Sequence, residues 1–588
     1  MTTRRGPRER SARYVVLLGL LALGFVAIAG RLVWLQVIEG PAYAKMALDQ
    51  RHRDMEIPPE RGSIYDREGE PLAVSMEARN VYAVPPSVAD PEGAAQAIAS
   101  ILGGNEADYL AKLTKKATFV YIARKVDIDR SAALEALDLK GIYFQEDSRR
   151  VYPSGELACQ TLGFVGVDDE GLAGLEKYYD DALAGTPGRL VAEKGPGGVP
   201  IPGGVQLEED PVDGENLVLT IDKDIQYQAT VELQAAVEKW GAKSGSVIIM
   251  DPQNGAILAM ASTPSFDPNN YSTADSKSFR NLPVVDTYEP GSTIKSFTAA
   301  AVIEEGLFNP SSMFKLPPTI KVGGRTIHEA HGRGTVHWSL SQIVTNSSNV
   351  GSVKLGLALG EQRLYDYFEK FGLTQKTGVD FPGEAAGWLP PPDQWSASSI
   401  GNIPFGQGIS VTPLQLARGL AVIANGGELV TPHFLDSTPD SPEQEVVWPK
   451  KRVLSAATAA QMRDVLAEVV TEGTGAGAKV KGYTVAGKTG TAQKARTDGV
   501  AGYAKDKYVA SFSGFVPAED PAVLIVVLLD EPSNSIYGGT VAAPTFSKLA
   551  AFCMSHLQIP PSVAKPKTST GSSVTTAAVT SGSQGGDD

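Results

Sequence analysis

Ser292-Thr293-Ile294-Lys295, Ser347-Ser348-Asn349 and Lys488-Thr489-Gly490-Thr491 stand in that order along the chain, and together they carry the side chains of an acyl-transfer site. A serine hydroxyl attacks a carbonyl only when a neighbouring base removes its proton. Residues i and i+3 share a helix face, so this spacing lets the Lys295 amine lie beside the Ser292 hydroxyl. The amine acts as a base only when neutral, a state favoured in a desolvated site shared with a second cation, Lys488. Ser292 follows Tyr288-Glu289-Pro290-Gly291, where Pro and Gly mark a loop, and precedes an apolar run over 297–305 that reads as a buried helix. The nucleophile is therefore expected at a helix N-terminus, where the helix dipole and the Ser292 N–H favour a developing oxyanion. Each short motif recurs by chance; the ordered set is the signal.

Elements able to hold such residues can be read on both sides of them. Leu217-Val218-Leu219-Thr220 alternates as an entering strand, and Asp222 or Thr220 can cap the following amphipathic helix, with Ile225, Leu233, Ala236 and Val237 on its apolar side. Residues 246–250 and 256–261 flank Asn254-Gly255, a hairpin signal. Residues 508–516 and 522–530 form a second hairpin, and 484–491 supply a fifth strand. The expectation is an α+β catalytic domain over 217–557: a five-stranded antiparallel sheet built from both ends, with a helical insertion over 267–482. The site then lies in the cleft between them, with Lys488 on an edge strand.

A net charge of −14 argues against nucleic acid, and 588 residues are too many for a single core. Arg4, Arg5, Arg8, Arg10 and Arg13 precede an apolar run over 14–38. This reads as a cytoplasmic basic tail (1–13) and a transmembrane anchor (14–38), with the rest of the chain outside the cytoplasmic membrane. Arg31 must snorkel or face a partner helix, with Trp34 at the interface. A cleaved signal peptide competes, because Ala27-Ile28-Ala29 before Gly30 has the small residues of a cleavage site. Residues 40–216 mix short strands and helices without a nucleophile–base pattern and read as a non-catalytic module. The Gly/Pro-rich stretch 195–204 and Glu208-Glu209-Asp210 suit a hairpin or flexible connection. Cys159 and Cys553 give no disulfide framework and read as buried free thiols. Residues 562–588, rich in Ser, Thr, Gly and Ala, read as a disordered tail.

The chain resembles the class B penicillin-binding proteins, the membrane-anchored D,D-transpeptidases that cross-link peptidoglycan. Besides the three motifs, the likeness rests on Arg61-Gly62-Ser63-Ile64-Tyr65-Asp66-Arg67, Arg150-Val151-Tyr152-Pro153 and Gly171-Leu172-Ala173-Gly174-Leu175-Glu176. It continues through the stretch from Ala259 to Asn269 and Gly406-Gln407-Gly408-Ile409-Ser410-Val411-Thr412-Pro413. The anchor run from Arg31 to Ile38 and the small N-terminal module look most like the cell-division (FtsI-type, septal) branch; elongation and sporulation relatives share the catalytic motifs.

The resemblance implies an uncleaved anchor and a pedestal, dimerisation-like domain at 40–216, with Asp66 and Arg67 as structural residues within it or at its junction with the catalytic domain. It implies Ser292 as nucleophile toward the penultimate D-alanine of a D-Ala-D-Ala stem peptide, Lys295 as general base and Ser347 as proton relay. Asn349 would hold substrate and lysine, and Lys488, with the Thr489 and Thr491 hydroxyls, would bind the terminal carboxylate. The Thr491 and Ser292 N–H groups form the oxyanion hole, and Gly490 completes the substrate-binding strand. β-Lactams would acylate Ser292, and a septal membrane glycosyltransferase and other division proteins are the implied partners.

Two other functional classes share part of this pattern. A β-lactamase shares the fold, but no Glu-x-x-Leu-Asn stretch follows Asn349. A non-enzymatic sensor is disfavoured by the intact Lys295, Ser347, Asn349 and Lys488. No cofactor is expected. His328, His331 and His337 match no common zinc spacing, so no metal is expected either. Gly406-Gln407-Gly408 lacks the strand-to-helix context of a nucleotide loop.

Overall fold

The computed structural model describes residues 7–194, 200–442, 446–496 and 502–562. Arg4, Arg5, residues 195–199 and the tail beyond Ser562 lie outside these. The first element, α1 (Pro7–Val33), runs on through a wider turn at Trp34–Ile38. Together they give an apolar span, Ala12–Ile38, whose Leu, Val and Phe side chains are exposed along its length. Its 27 residues reach about 40 Å, longer than the roughly 30 Å hydrocarbon core of a bilayer. Arg31 falls in the last turn of α1, and the Trp34 indole donates to Glu39 at 3.0 Å.

The pedestal is built on β1 (Ile64–Tyr65), the long β2 (Pro71–Ala83), β3 (Val120–Asp127) and β4 (Ile142–Val151). β2 pairs antiparallel with β1, β3 and β4. Its inward Val81 and Ala83 pack with Ile98, Leu113, Ile122 and Leu134 into a separate small core. The connection after it is the hairpin of the two expected forms: Gly188–Lys194 and Pro200–Glu209 pair antiparallel, with His52–Ile57 as a third strand.

The expected entering strand, β5 (Leu217–Leu219), lies parallel to β1 and antiparallel to Leu435–Ser437, outside the catalytic sheet. One sheet is therefore shared by the pedestal and the catalytic region, and Ile64, Leu72, Leu175, Leu217, Ile257 and Phe266 belong to one continuous core. Polar ties reinforce it. Asp66, buried as a structural residue should be, accepts from the N–H groups of Glu68, Glu70 and Lys223, the last at the start of the next helix. The Asn269 side chain exchanges two hydrogen bonds with the Tyr152 backbone. Arg61, Arg150 and Tyr152 all converge on the buried Glu176 carboxylate, at 2.9, 2.7 and 3.2 Å, so three sequence stretches far apart meet at one anion.

Asp222 caps α2 (Lys223–Trp240), accepting from Asp224 and Ile225 N–H, a cap of about 1 kcal/mol. The five-stranded antiparallel sheet follows the order β7 (Ile257–Thr263), β6 (Ser244–Met250), Val523–Asp530, Tyr503–Val516, Ala486–Ala495. Its apolar strands are buried on both faces. Val247 and Ile249 pack with Leu233 and with Phe546 of the C-terminal helix Ala543–His556, whereas Ile248 and Met250 face the helical insertion. This is period-two alternation inside a continuous apolar run. Cys159 and Cys553 are buried free thiols.

Candidate active site

Ser292 lies in a tight 3-10 turn, Gly291–Ile294, that runs into α3 (Lys295–Glu304), so its side chain stands at a helix start. The turn is pinned behind by the glycine stretch Gly406-Gln407-Gly408. Gly291 N–H donates to the Gly406 carbonyl at 3.1 Å, and Gly408 N–H to Glu289 at 2.9 Å. A Cβ on Gly406, whose φ is 92°, would lie 2.0 Å from the Gly291 oxygen, so only glycine permits the approach. Among the described residues the Ser292 hydroxyl makes no hydrogen bond, and it is partly exposed.

Lys295 is fully buried and its Nζ donates to the Ser347 carbonyl (2.6 Å), the Ser347 Oγ (3.1 Å) and Asn349 Oδ1 (2.7 Å). The sequence places this lysine beside Ser292; the structure ties it by hydrogen bonds to the second motif. Ser348 caps α4 (Asn349–Leu359), accepting from Gly351 N–H, and so puts Asn349 at the first turn. The Asn349 amide nitrogen donates to the His328 carbonyl at 3.0 Å, which leaves its second N–H free.

Lys488 sits on the edge strand Ala486–Ala495, as its motif requires, and is also buried. Gly490 faces the nucleophile turn: a Cβ there would come within 3.2 Å of the Pro290 oxygen and the Thr293 methyl. Thr489 Oγ1 lies 2.9 Å from Thr474 Oγ1 and accepts from Lys488 at 3.3 Å. Thr491 Oγ1 accepts from Gly538 N–H at 3.2 Å, so its own proton remains available to donate.

Burial and the repulsion of Lys488 hold Lys295 well below the ordinary lysine range, against the pull of Glu329. Burial alone pushes Lys488 down to about 7. The site can therefore hold one amine neutral as a base beside a second that is charged in part near neutral pH.

Residues with no signature in the sequence complete the arrangement: Glu329, Arg333, Thr474 and Gly538. Of the three histidines, His328 contributes its carbonyl and His331 lies tilted against Tyr537, ring centres 5.7 Å apart. Among the described residues no three His, Cys, Asp or Glu side chains gather as metal ligands would.

The penicillin binding protein transpeptidase domain model matches residues 245–551, and the penicillin-binding protein dimerisation domain model matches 56–219. Stage V sporulation protein D of Bacillus subtilis is 38% identical over 559 residues, which are 93% of this chain and 86% of that protein. Peptidoglycan D,D-transpeptidase FtsI of Escherichia coli is 34% identical, with 94% and 93% covered. The crystal structure of Mycobacterium tuberculosis penicillin binding protein 3 complexed with aztreonam is similar with a TM-score of 0.70 at 33% identity, over 87% of this chain and 98% of that one. A serine at a helix start, packed against a lysine-bearing edge strand, defines a serine acyltransferase of the penicillin-binding fold. The chain belongs to the class B penicillin-binding proteins, serine-type D-Ala-D-Ala transpeptidases of the FtsI type.

Proposed function

We propose that this enzyme cross-links peptidoglycan stem peptides during septal wall synthesis, with the following division of labour. Neutral Lys295 takes the Ser292 proton as Ser292 attacks the penultimate D-alanine carbonyl; the terminal D-alanine leaves and an ester remains on Ser292. The 3.1 Å contact between Lys295 and Ser347 Oγ can reverse its sense, because a hydroxyl both donates and accepts. Ser347 can thus relay the proton to the leaving amine. Lys488, Thr489 and Thr491 bind the terminal carboxylate, beside Gly490. The backbone N–H groups of Ser292 and Thr491 stabilise the oxyanion. The free N–H of Asn349 is oriented toward a substrate carbonyl. An amine of a second stem peptide then attacks the ester.

The observation that carries this reading is the buried Lys295 amine held by Ser347 and Asn349, one turn from an unbonded Ser292 hydroxyl. Digestion and mass spectrometry of the penicillin-treated protein should find the adduct on Ser292. Ser292→Ala should abolish labelling while leaving the thermal transition in place, since it removes one unbonded hydroxyl. An adduct on another residue overturns the assignment.

The septal role rests on the likeness to FtsI, and it implies a septal membrane glycosyltransferase and other division proteins as partners. The 38% identity to a sporulation protein favours a second reading. Depletion that yields filaments without septa supports division; normal growth with defective spores supports sporulation, and rounded cells indicate elongation. We also infer single-pass topology with the arginine-rich N-terminus in the cytoplasm and the catalytic domain outside. A mature N-terminus at Gly30 would refute the anchor. Residues 1–13, 14–38, 40–216 and 217–557 are the proposed tail, anchor, pedestal and catalytic domain. Of residues 562–588, the proposed tail, only Ser562 lies among the described residues, and it is bonded to Gly482 and Glu519.

A further inference from the structure

Behind the second motif lies a carboxylate that the chemistry above does not use. Glu329 follows the strand Arg325–His328 and is nearly enclosed, with 7% of its side chain exposed. One oxygen accepts from Ser348 Oγ at 2.6 Å and the other from Asn349 N–H at 2.8 Å. Arg333 pairs with it, and the Arg333 guanidinium lies 4.7 Å above the Trp338 ring and donates to the Leu316 carbonyl. The neighbouring residue grips the other end of the same asparagine, since His328 carbonyl accepts from its amide. Glu329 therefore caps the start of α4 and accepts from its capping serine, while the His328 carbonyl beside it fixes which Asn349 side-chain atom faces Lys295.

We propose that Glu329 is a positioning residue of the acyl-transfer site, which through Ser348 and Asn349 fixes the acceptors of Lys295 and supplies a counter-charge to that buried amine. The inference rests on Lys295 as the general base. The charged groups around that amine are Lys488, from the edge strand, and Glu329, from the loop; Arg333 stands behind Glu329. The two cations and the anion act in opposite senses on the Lys295 proton. Neutralising Glu329 releases the proton at lower pH, whereas removing Arg333 strengthens the carboxylate's field and retains it to higher pH.

The test is the second-order acylation rate of the full chain in detergent with a fluorescent penicillin, followed against pH. For Glu329→Gln the plateau should fall about tenfold, because one of its three hydrogen-bonded partners is lost from a site that depends on sub-ångström placement. The ascending limb should also move down by roughly half a pH unit to one unit. Glu329→Asp, which keeps the charge, should return the limb to its original position even if the plateau stays low. Arg333→Met should move the limb up, and it serves if Glu329→Gln does not fold. A lower plateau with the limb unmoved in both Glu329→Gln and Arg333→Met would reduce Glu329 to a structural cap and overturn the proposal. Absence of an ascending limb in the unmodified protein would instead overturn Lys295 as base, so the two failures are distinguishable.

Discussion

The carbonyl oxygen of Ser347 accepts from Lys295 Nζ at 2.6 Å, and the backbone of Ser347 is left-handed, with a φ of 56°. The helix Leu340–Thr345 ends here. Ser347 N–H donates to Val344 O and Ser348 N–H to Ile343 O, the paired bonds of a Schellman stop, with Ser347 in the position that glycine usually fills. A serine there costs about 1–2 kcal/mol of backbone strain. The strain turns both the Ser347 carbonyl and its hydroxyl onto one amine, two residues before Asn349 adds a third acceptor.

Ser347→Gly should accordingly separate stability from chemistry. Glycine relieves the strain, so thermal stability should hold or rise by up to about 1 kcal/mol. The acylation rate should drop on the order of 10²-fold or more with loss of the relay hydroxyl. Calorimetry and penicillin labelling on the same preparation check both halves. Unchanged labelling would remove Ser347 from the proton path.

The pH profile of acylation should be bell-shaped. Lys295 works when neutral, and burial with Lys488 depresses it, so the rate climbs as pH rises through that lowered value. Lys488 attracts carboxylate only when charged, and burial pushes it to about 7, so the descending side should begin near pH 7. The two limbs belong to the coupled pair. Lys488→Met should abolish the descending limb and move the ascending limb up, because the cation that repels the Lys295 proton is gone. A profile of unchanged shape in Lys488→Met would contradict this electrostatic account.

Glu176→Ala should destabilise the protein far more than any single change in the cleft. It strips the shared anion from Arg61 and Arg150, both buried, leaving Arg150 without a carboxylate and Arg61 with Asp180 alone. Breaking a buried ion network in this way costs about 3–5 kcal/mol. Chemical denaturation of the region outside the membrane measures it; a loss under about 1 kcal/mol would show that water or Asp180 takes over the role.

The side chains proposed for catalysis stand out in the sequence because acyl-transfer chemistry dictates residue type and spacing, and the hairpin at Asn254-Gly255 because only a few residues accept its backbone. Glu329 and Thr474 do not. They act across the fold, 20 residues from Asn349 and 15 from Thr489 in the chain, through contacts that no local pattern encodes. Nothing local at Gly406 announces its role, which depends on Gly291 lying against it. The strand Leu217–Leu219 was legible as a strand and not as the seam between modules, because alternation reports a buried face and not the partner. The motifs containing Arg61, Arg150 and Glu176 marked the family, and only the folded chain brings them to a single ion cluster.

The lifetime of the acyl-enzyme tests whether water or an amine is the intended second nucleophile. A β-lactam presents a strained amide to Ser292 and a carboxylate to Lys488, Thr489 and Thr491, so a transpeptidase and a hydrolase should both be acylated. Hydrolysis then needs a base that aims water at the ester carbonyl, and such a base typically contributes 10²- to 10⁴-fold. The carboxylate whose charge reaches Lys295, Glu329, is already committed to Ser348, Asn349 and Arg333. Lys295 is engaged by Ser347 and Asn349. The penicilloyl ester should therefore persist for many minutes to hours, measured by intact mass after removal of free drug. Nitrocefin turnover at many cycles per second would mean that one of these groups releases its partners to activate water, and the enzyme would then act as a β-lactamase.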